Sequence, residues 1–289
     1  MRKIIFVHIV FICLAGIGCS CAQTITAAKD SAGEPSNNSP GKISFTLLHR
    51  ITGAFNFMEV DALDNVFLIT TNYQLIKFNA KGDSVAVFNN VKKYGTPSLI
   101  DVSNPLRPLI YYKNFSTLLM LDRQLSLRNQ INFRKGNIFS VSILAAAYDN
   151  NVWIFDEQDF KLKKIDAEGK VLSETTDWRM LFTELPNPQW MKDSDGFVYL
   201  YDSTKGFFIF DYYGSLKNTI PFLNWQQVAV SGNILYGFTG NIHNSYQLQS
   251  LQLKTFTLPN VFKDYTGIKA MNNRLYILNK DAVEVYSIQ

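Results

Sequence analysis

Apolar residues along this chain come in short runs, each introduced by a polar turn, and four of the runs superimpose in register. They are Asp64-Asn65-Val66-Phe67-Leu68-Ile69, Asn150-Asn151-Val152-Trp153-Ile154-Phe155, Asp195-Gly196-Phe197-Val198-Tyr199-Leu200-Tyr201 and Asn273-Arg274-Leu275-Tyr276-Ile277-Leu278. Three of them continue through a polar hairpin into a second apolar strand that ends in a turn, at 75–82, 160–169 and 207–214. A unit of about 40 residues built from short strands is the pattern of a β-propeller blade. Unit starts fall near Phe57, Thr96, Val141, Pro186, Gln226 and Thr266. The last unit is short, and Ile43 to Ile51 alternates as a strand should. The reading is therefore an all-β, six-bladed propeller in which an N-terminal strand completes the last blade and removes an open strand edge. Five blades is the alternative count.

A column of second-strand aromatics, Phe67, Tyr111, Trp153, Tyr199, Tyr236 and Tyr276, is expected to pack blade against blade. Gly82, Gly169 and Gly214 occupy turns that need positive φ. Blade 2 has Asp122-Arg123-Gln124-Leu125 at that point and lacks the glycine. Helical signal is confined to 177–182, a single turn capped by Thr176 or Asp177.

The chain begins with a basic pair, Arg2 and Lys3, and the apolar stretch Ile4 to Ile17, which reads as a secretory leader too short for a membrane span. Two outcomes stay open: cleavage after Ala22, or lipidation of Cys19, since Gly18-Cys19 resembles a lipobox with Gly16 where Leu is usual. The expected domains are a leader over 1–22, a flexible Ser/Asn/Pro/Gly/Ala-rich linker over 23–42 and a propeller over 43–289. Location follows: export across the inner membrane to the periplasm, or to the periplasmic side of the outer membrane.

All three cysteines, Cys13, Cys19 and Cys21, lie in the leader, so thiol catalysis, thiolate metal sites and disulfides are excluded from the remaining chain. The formal charge of +4 becomes +2 without Arg2 and Lys3, with 26 basic and 24 acidic residues, which argues against a nucleic-acid partner. Beyond the leader only His49 and His243 remain, and no phosphate loop, dinucleotide or serine-nucleophile motif occurs.

Carboxylates are the remaining catalytic groups. Glu59, Asp61 and Asp101 fall on or near innermost strands, where some propeller hydrolases and lactonases hold calcium, although recurring turn residues such as Asp64, Asn150 and Asp195 read as backbone-bonding turns. The segments 101–113, 148–157 and 210–214 resemble short, leader-bearing, NHL-like six-bladed propellers of Bacteroidota envelopes, an uncharacterised family. That resemblance implies residence in the envelope and carries over no catalytic residues.

The loops between blades gather Tyr94, Arg134, Lys135, Trp178, Arg179, Phe182, Trp190, Trp225, Lys263 and Tyr265, residue types favoured at protein interfaces. The same aromatics also suit a cap over the central channel. The longest such loop, 173–189, is the candidate recognition element. The expected function is a non-enzymatic, protein-binding propeller accessory to an outer-membrane or secretion assembly, with no cofactor and with membrane contact only through a lipid anchor or that partner. The alternatives are a carboxylate- or calcium-centred hydrolase or lactonase, or a glycan-binding propeller using Asn187, Gln189, Asn224, Gln226 and Gln227 beside the aromatics.

Overall fold

The computed structural model describes residues 24–26, 43–262 and 265–289. The leader, Cys19, Lys263 and all of the 23–42 segment except 24–26 lie outside the described residues. Six antiparallel sheets stand in a ring, and the count of six follows directly from their topology. Blade 1 is Phe55–Val60, Val66–Thr70, Leu75–Phe78 and Ser84–Phe88. Blade 2 is Leu99–Asp101, Leu109–Tyr112, Thr117–Leu121 and Leu127–Asn132. Blade 3 is Val141–Ala146, Val152–Asp156, Lys161–Ile165 and Val171–Glu174. Blade 4 is Trp190–Ser194, Phe197–Asp202, Gly206–Asp211 and Leu216–Ile220. Blade 5 is Gln226–Ser231, Ile234–Thr239, Ile242–Gln247 and Gln252–Thr257.

Blade 6 takes three strands from the C-terminal part, Gly267–Met271, Arg274–Leu278 and Ala282–Ile288, and its fourth from Ser44–Thr52. The register pairs Phe45 with Ile288 and Thr52 with Ala282. Closure by the N-terminal strand is thus as the alternating pattern of 43–51 indicates. Thr24–Thr26 adds a short fifth strand on the outer edge of that blade, pairing Thr24 with Thr46.

First strands of successive blades touch around the axis, from blade 2 through blade 6 and on to blade 1. In a four-stranded antiparallel blade, the loops between blades and the second-to-third-strand loops emerge at one end. First-to-second and third-to-fourth turns emerge at the other. The two ends are called here the upper and lower faces.

One buried hydrophobic cluster fills each of the six junctions between blades. The aromatic column supplies five of them: Phe67, Tyr111, Trp153, Tyr199 and Tyr276 are at most 1% exposed. Blade 5 differs, because Phe238 enters the cluster there while Tyr236 lies half-buried against His243. Each junction is built by both of the blades that flank it, so every blade contributes to two clusters.

The recurring third-to-fourth-strand turn has a side-chain anchor. Asn79, Asp122, Asp166 and Asp211 each accept, on Oδ1, the amides two and four residues ahead. Such self-bonding Asx turns place the residue three positions on at positive φ, which is +88° for Gly169 and +60° for Leu125 in the glycine-free blade 2. Gly169 has a second reason to be glycine. A Cβ there would stand 2.8 Å from Ile131 Cγ2 of the preceding blade, so the turn is also a contact between blades.

Candidate functional site

The carboxylates expected at the channel are committed elsewhere. Glu59, on the first strand of blade 1, forms an ion pair with Lys269 on the first strand of blade 6, at 2.8 Å from Oε1 and 3.0 Å from Oε2. Asp101 accepts from the amides of Ser103 at 2.7 Å and Ala146 at 2.6 Å, tying blade 2 to blade 3. Asp61 is 1% exposed and accepts from Leu63 N, Asn65 N and Asn65 Nδ2 in its own turn. Among the described residues no group of three or more His, Cys, Asp or Glu side chains is placed to hold a metal ion. The three carboxylates do not converge, because each satisfies donors from a different turn or junction.

On the upper face the structure corrects the exposure expected of the loop aromatics. Trp178 is wholly buried, Trp225 is 7% exposed and Tyr94 is 5% exposed. Trp178 stacks on Phe210 at 5.2 Å and 4°, and meets Phe155 at 4.4 Å and Phe182 at 5.5 Å. Its Nε1–H is buried with no acceptor. Trp225 lies on Phe222 at 4.5 Å and 6°, and Tyr94 donates to Gln130 Oε1 at 2.7 Å. Phe182 and Trp190 are half-buried in the clusters beside blade 4. Tyr265 is tied to Gly240 O at 2.7 Å. Burial of flat apolar area drives these rings into the junctions, and a loop that crosses a junction is the natural carrier.

Trp178, Arg179 and Phe182, whose spacing would put them on one face of a helical turn, are split. A 3-10 turn over Trp178–Met180, capped by Asp177 accepting Arg179 N, sends Trp178 and Phe182 inward. Arg179 turns outward onto the Asp177 carboxylate. Of Asn187 and Gln189, expected beside a glycan, Gln189 has its side chain tied down, its Oε1 accepting from Ser203 N at 2.9 Å, whereas Asn187 uses only its backbone amide, on Asp202 Oδ2 at 2.8 Å, and its side chain is exposed. Asn224, Gln226 and Gln227 remain exposed.

What the loops expose lies beside each buried ring. Loop 133–140 buries Phe133 and leaves Phe139 52% exposed, and loop 175–189 buries Trp178 and leaves Met180 80% exposed. Loop 221–225 buries Trp225 with Leu223 46% exposed, and Phe262 is buried beside Val261 at 60%. Each of these four loops thus has one ring driven inward and an apolar neighbour held outward. Cations flank the pattern. Arg134 and Lys135 are exposed, as are Lys92 and Lys93, and none of the four is ion-paired among the described residues. Lys93 lies over the Tyr94 ring at 4.8 Å, Phe115 meets that ring at 6.0 Å, and Arg134 Nε donates to Ser116 Oγ at 3.2 Å. Lys135 also borders an open groove of about 740 Å³ between blades 2 and 3, lined by Gln130, Asn132, Glu168 and Lys170.

A second cluster, which sequence reasoning did not single out, lies on the lower face between blades 3 and 4. Asp193 accepts from Trp153 Nε1 at 3.0 Å, from Tyr148 N at 3.3 Å and from the Tyr212 hydroxyl. Burial pushes the Asp193 carboxyl up, against the lowering effect of those donors. Burial also pushes up the Tyr212 hydroxyl, and its bond to Asp193 adds to the shift. Lys164 pairs with Asp149, and its ammonium lies 5.0 Å from the Tyr148 ring, 5.3 Å from Trp153 and 5.5 Å from Tyr212. The one signal in the sequence is the tyrosine beside the polar turn at 148–151.

The two described histidines stand away from the axis. His49 is on the outer strand of blade 6 with its Nε2 buried and unpartnered, and His243 is on the third strand of blade 5, 5.0 Å from Phe238.

No family model matches the chain, and no curated protein matches it in sequence. Among solved structures it is similar to a streptogramin B lyase at 14% identity and TM-score 0.55, over 80% of this chain and 78% of that one. It is also similar to virginiamycin B lyase from Staphylococcus aureus, at 14% identity and TM-score 0.53 over 80% and 79% of the two chains. A catalytically inactive histidine-to-alanine form of that lyase with quinupristin matches at 13% identity and TM-score 0.55, over 86% and 92%. At such identities the likeness is one of fold, the six-bladed propeller.

Proposed function

We propose that this chain is a non-enzymatic, protein-binding propeller of the bacterial envelope, accessory to an outer-membrane or secretion assembly, and that it docks through its upper face. The observation that carries the reading is the repeated loop design, in which a buried ring fixes each loop and an apolar neighbour is left in water. Scattered surface apolar residues are ordinary, whereas a set at equivalent places around one face points to an interface. Fixed loops also lower the entropic cost of association. Lys92, Lys93, Arg134 and Lys135, none of them ion-paired among the described residues, favour a partner with an acidic rim. The envelope compartment is supported by the N-terminal apolar segment and by the resemblance to Bacteroidota envelope propellers.

A lyase-type activity is disfavoured by the histidines. Inactivation of the S. aureus lyase by a histidine-to-alanine change marks a histidine as essential there, whereas His49 here is on the outer strand of blade 6 and His243 on the third strand of blade 5. The test is affinity capture from native membranes with tagged native chain and with a Phe139→Asp/Met180→Asp variant. A partner retained by the native chain and lost by a variant that melts normally is the expected result. Equal recovery on both, or a free monomer under gentle extraction, would overturn the reading.

A further inference from the structure

The Tyr148 ring on the lower face is an open, rigidly held aromatic platform. It stacks on Tyr212 at 4.9 Å between centroids and 4° between planes, so one of its faces is covered. Tyr148 as a whole is nevertheless 69% exposed, which leaves the opposite face to solvent. Lys164 does not cover that face. Its ammonium is 5.0 Å from the Tyr148 centroid and 5.5 Å from the Tyr212 centroid. An ammonium above the outer face of Tyr148 would stand much farther from Tyr212 than from Tyr148, so Lys164 sits at the flank of the stack.

The platform is also fixed from beneath. Asp193 holds Tyr148 by its amide, Tyr212 by its hydroxyl and Trp153 by its indole N–H. Three donors on one carboxylate clamp blades 3 and 4 together directly under the stack. Around the exposed ring lie groups that bond hydroxyls. Burial pushes the Asp149 carboxyl up, but the hydrogen bonds from Lys164 and Asn151 and the Lys164 charge together hold it below its usual range. Asn150 is exposed at positive φ, and Arg107 reaches across from blade 2 to the Asn150 carbonyl. Tyr213, 93% exposed, follows on the adjoining turn.

We infer that this platform binds carbohydrate, specifically a pyranose ring of a neutral oligosaccharide. One face of such a ring presents C–H bonds, whose hydrogens seek the negative face of an aromatic ring. Its edges present hydroxyls, which both donate and accept, and the exposed Asn150 side chain, with the remaining lone pairs of the Asp149 carboxylate, offers both kinds of partner. A cationic ligand is disfavoured because Lys164 and Arg107 already occupy the flank. The inference is independent of the protein-binding face, which lies at the other end of the ring.

The experiment is saturation-transfer NMR and calorimetric titration of the full chain with cellotetraose, maltotetraose and chitotetraose, which share the pyranose face and differ in linkage and substituents. At least one should bind, with transfer strongest to the axial C–H protons of one residue. Tyr148→Ala, at an exposed position, should melt like the native chain and bind about tenfold more weakly or worse, a factor equal to about 1.4 kcal/mol. Tyr148→Phe keeps the platform and should stay within about threefold of native, about 0.65 kcal/mol on the same scale. Absence of binding to all three probes, or unchanged affinity in a folded Tyr148→Ala, overturns the proposal.

Discussion

Replacement of Trp178 by alanine should be among the most damaging single changes on the upper face, although the residue sits in a loop. The indole is 0% exposed, and its ring lies within 4.4–6.4 Å of Phe155, Phe210, Phe182 and Phe208. Truncating a buried Trp costs about 3–5 kcal/mol through lost transfer energy and the cavity left behind. Here Phe155 and Phe210 belong to different blades, so the cavity opens at a junction and cannot be closed by moving one loop. For a domain of this size about 2–4 °C of melting temperature goes with each kcal/mol, so Trp178→Ala should lower the transition by on the order of 10 °C. A companion variant separates packing from polarity. The buried indole N–H has no acceptor, and removing an unsatisfied donor recovers part of a penalty of about 1–3 kcal/mol. Trp178→Phe keeps a ring in the stack and sheds that donor, so it should cost under about 1.5 kcal/mol. Arg179→Ala, at an exposed side chain, should leave the transition in place. Circular dichroism melts of the three variants, beside capture of the membrane partner, read stability and docking on one preparation. If Trp178→Ala melted with the native chain, the indole would have to be solvent-facing and the account of the upper face would fall.

Three further outcomes are expected. Gly169→Ala must place a Cβ 2.8 Å from Ile131 and hold φ at +88°, whereas Gly196→Ala faces open space at φ +89°; urea titration should show the first to be worse by about 1 kcal/mol or more, and equality would refute the contact between blades. Burial, helped by the Arg274 charge and opposed by Asp83, lowers the His49 pKa below 6.5. The unfolded chain then binds the proton more readily, so stability is full above pH 6.5 and falls as the pH drops below it. His49→Gln should flatten that slope in denaturation curves taken at pH 7.5 and pH 5, provided His243, also lowered by burial, is left intact as the reference. Because Glu59, Asp61 and Asp101 are bonded within the protein, EDTA should leave the melting temperature unchanged, and a drop would revive a calcium-centred channel.

The blades were legible in the sequence because they repeat. A polar turn followed by an apolar run at Asp64, Asn150, Asp195 and Asn273 marks the first hairpin of four blades, and the alternation of 43–51 foretells the closing strand. Boundaries near Phe57, Thr96 and Pro186 moved to Phe55, Leu99 and Trp190, since pairing with the second strand, not local pattern, decides where a strand begins. The loops were less legible. Trp178 and Trp225 have the composition of interface anchors, and only the neighbouring blade, far along the chain, determines that they point inward. The Asp193 cluster was invisible for the same reason: Tyr148, Trp153, Lys164, Asp193 and Tyr212 come from two blades and meet only when the junction forms.

The strand Ser44–Thr52 is made early and finds its partner, Ala282–Ile288, only when nearly the whole ring has been synthesised. Loop-closure entropy and high contact order make such a pairing slow. Until that last step the sixth blade lacks its outer strand, and the cluster it shares with blade 1, with Ile51 in it, stays incomplete. Completion of the propeller is therefore gated by one late event, and until it occurs both the waiting strand and its future neighbour offer bare edges. Any chaperone, protease or extended peptide that acts on this chain has its opening in that interval, and the same hydrogen bonds that seal the ring end it.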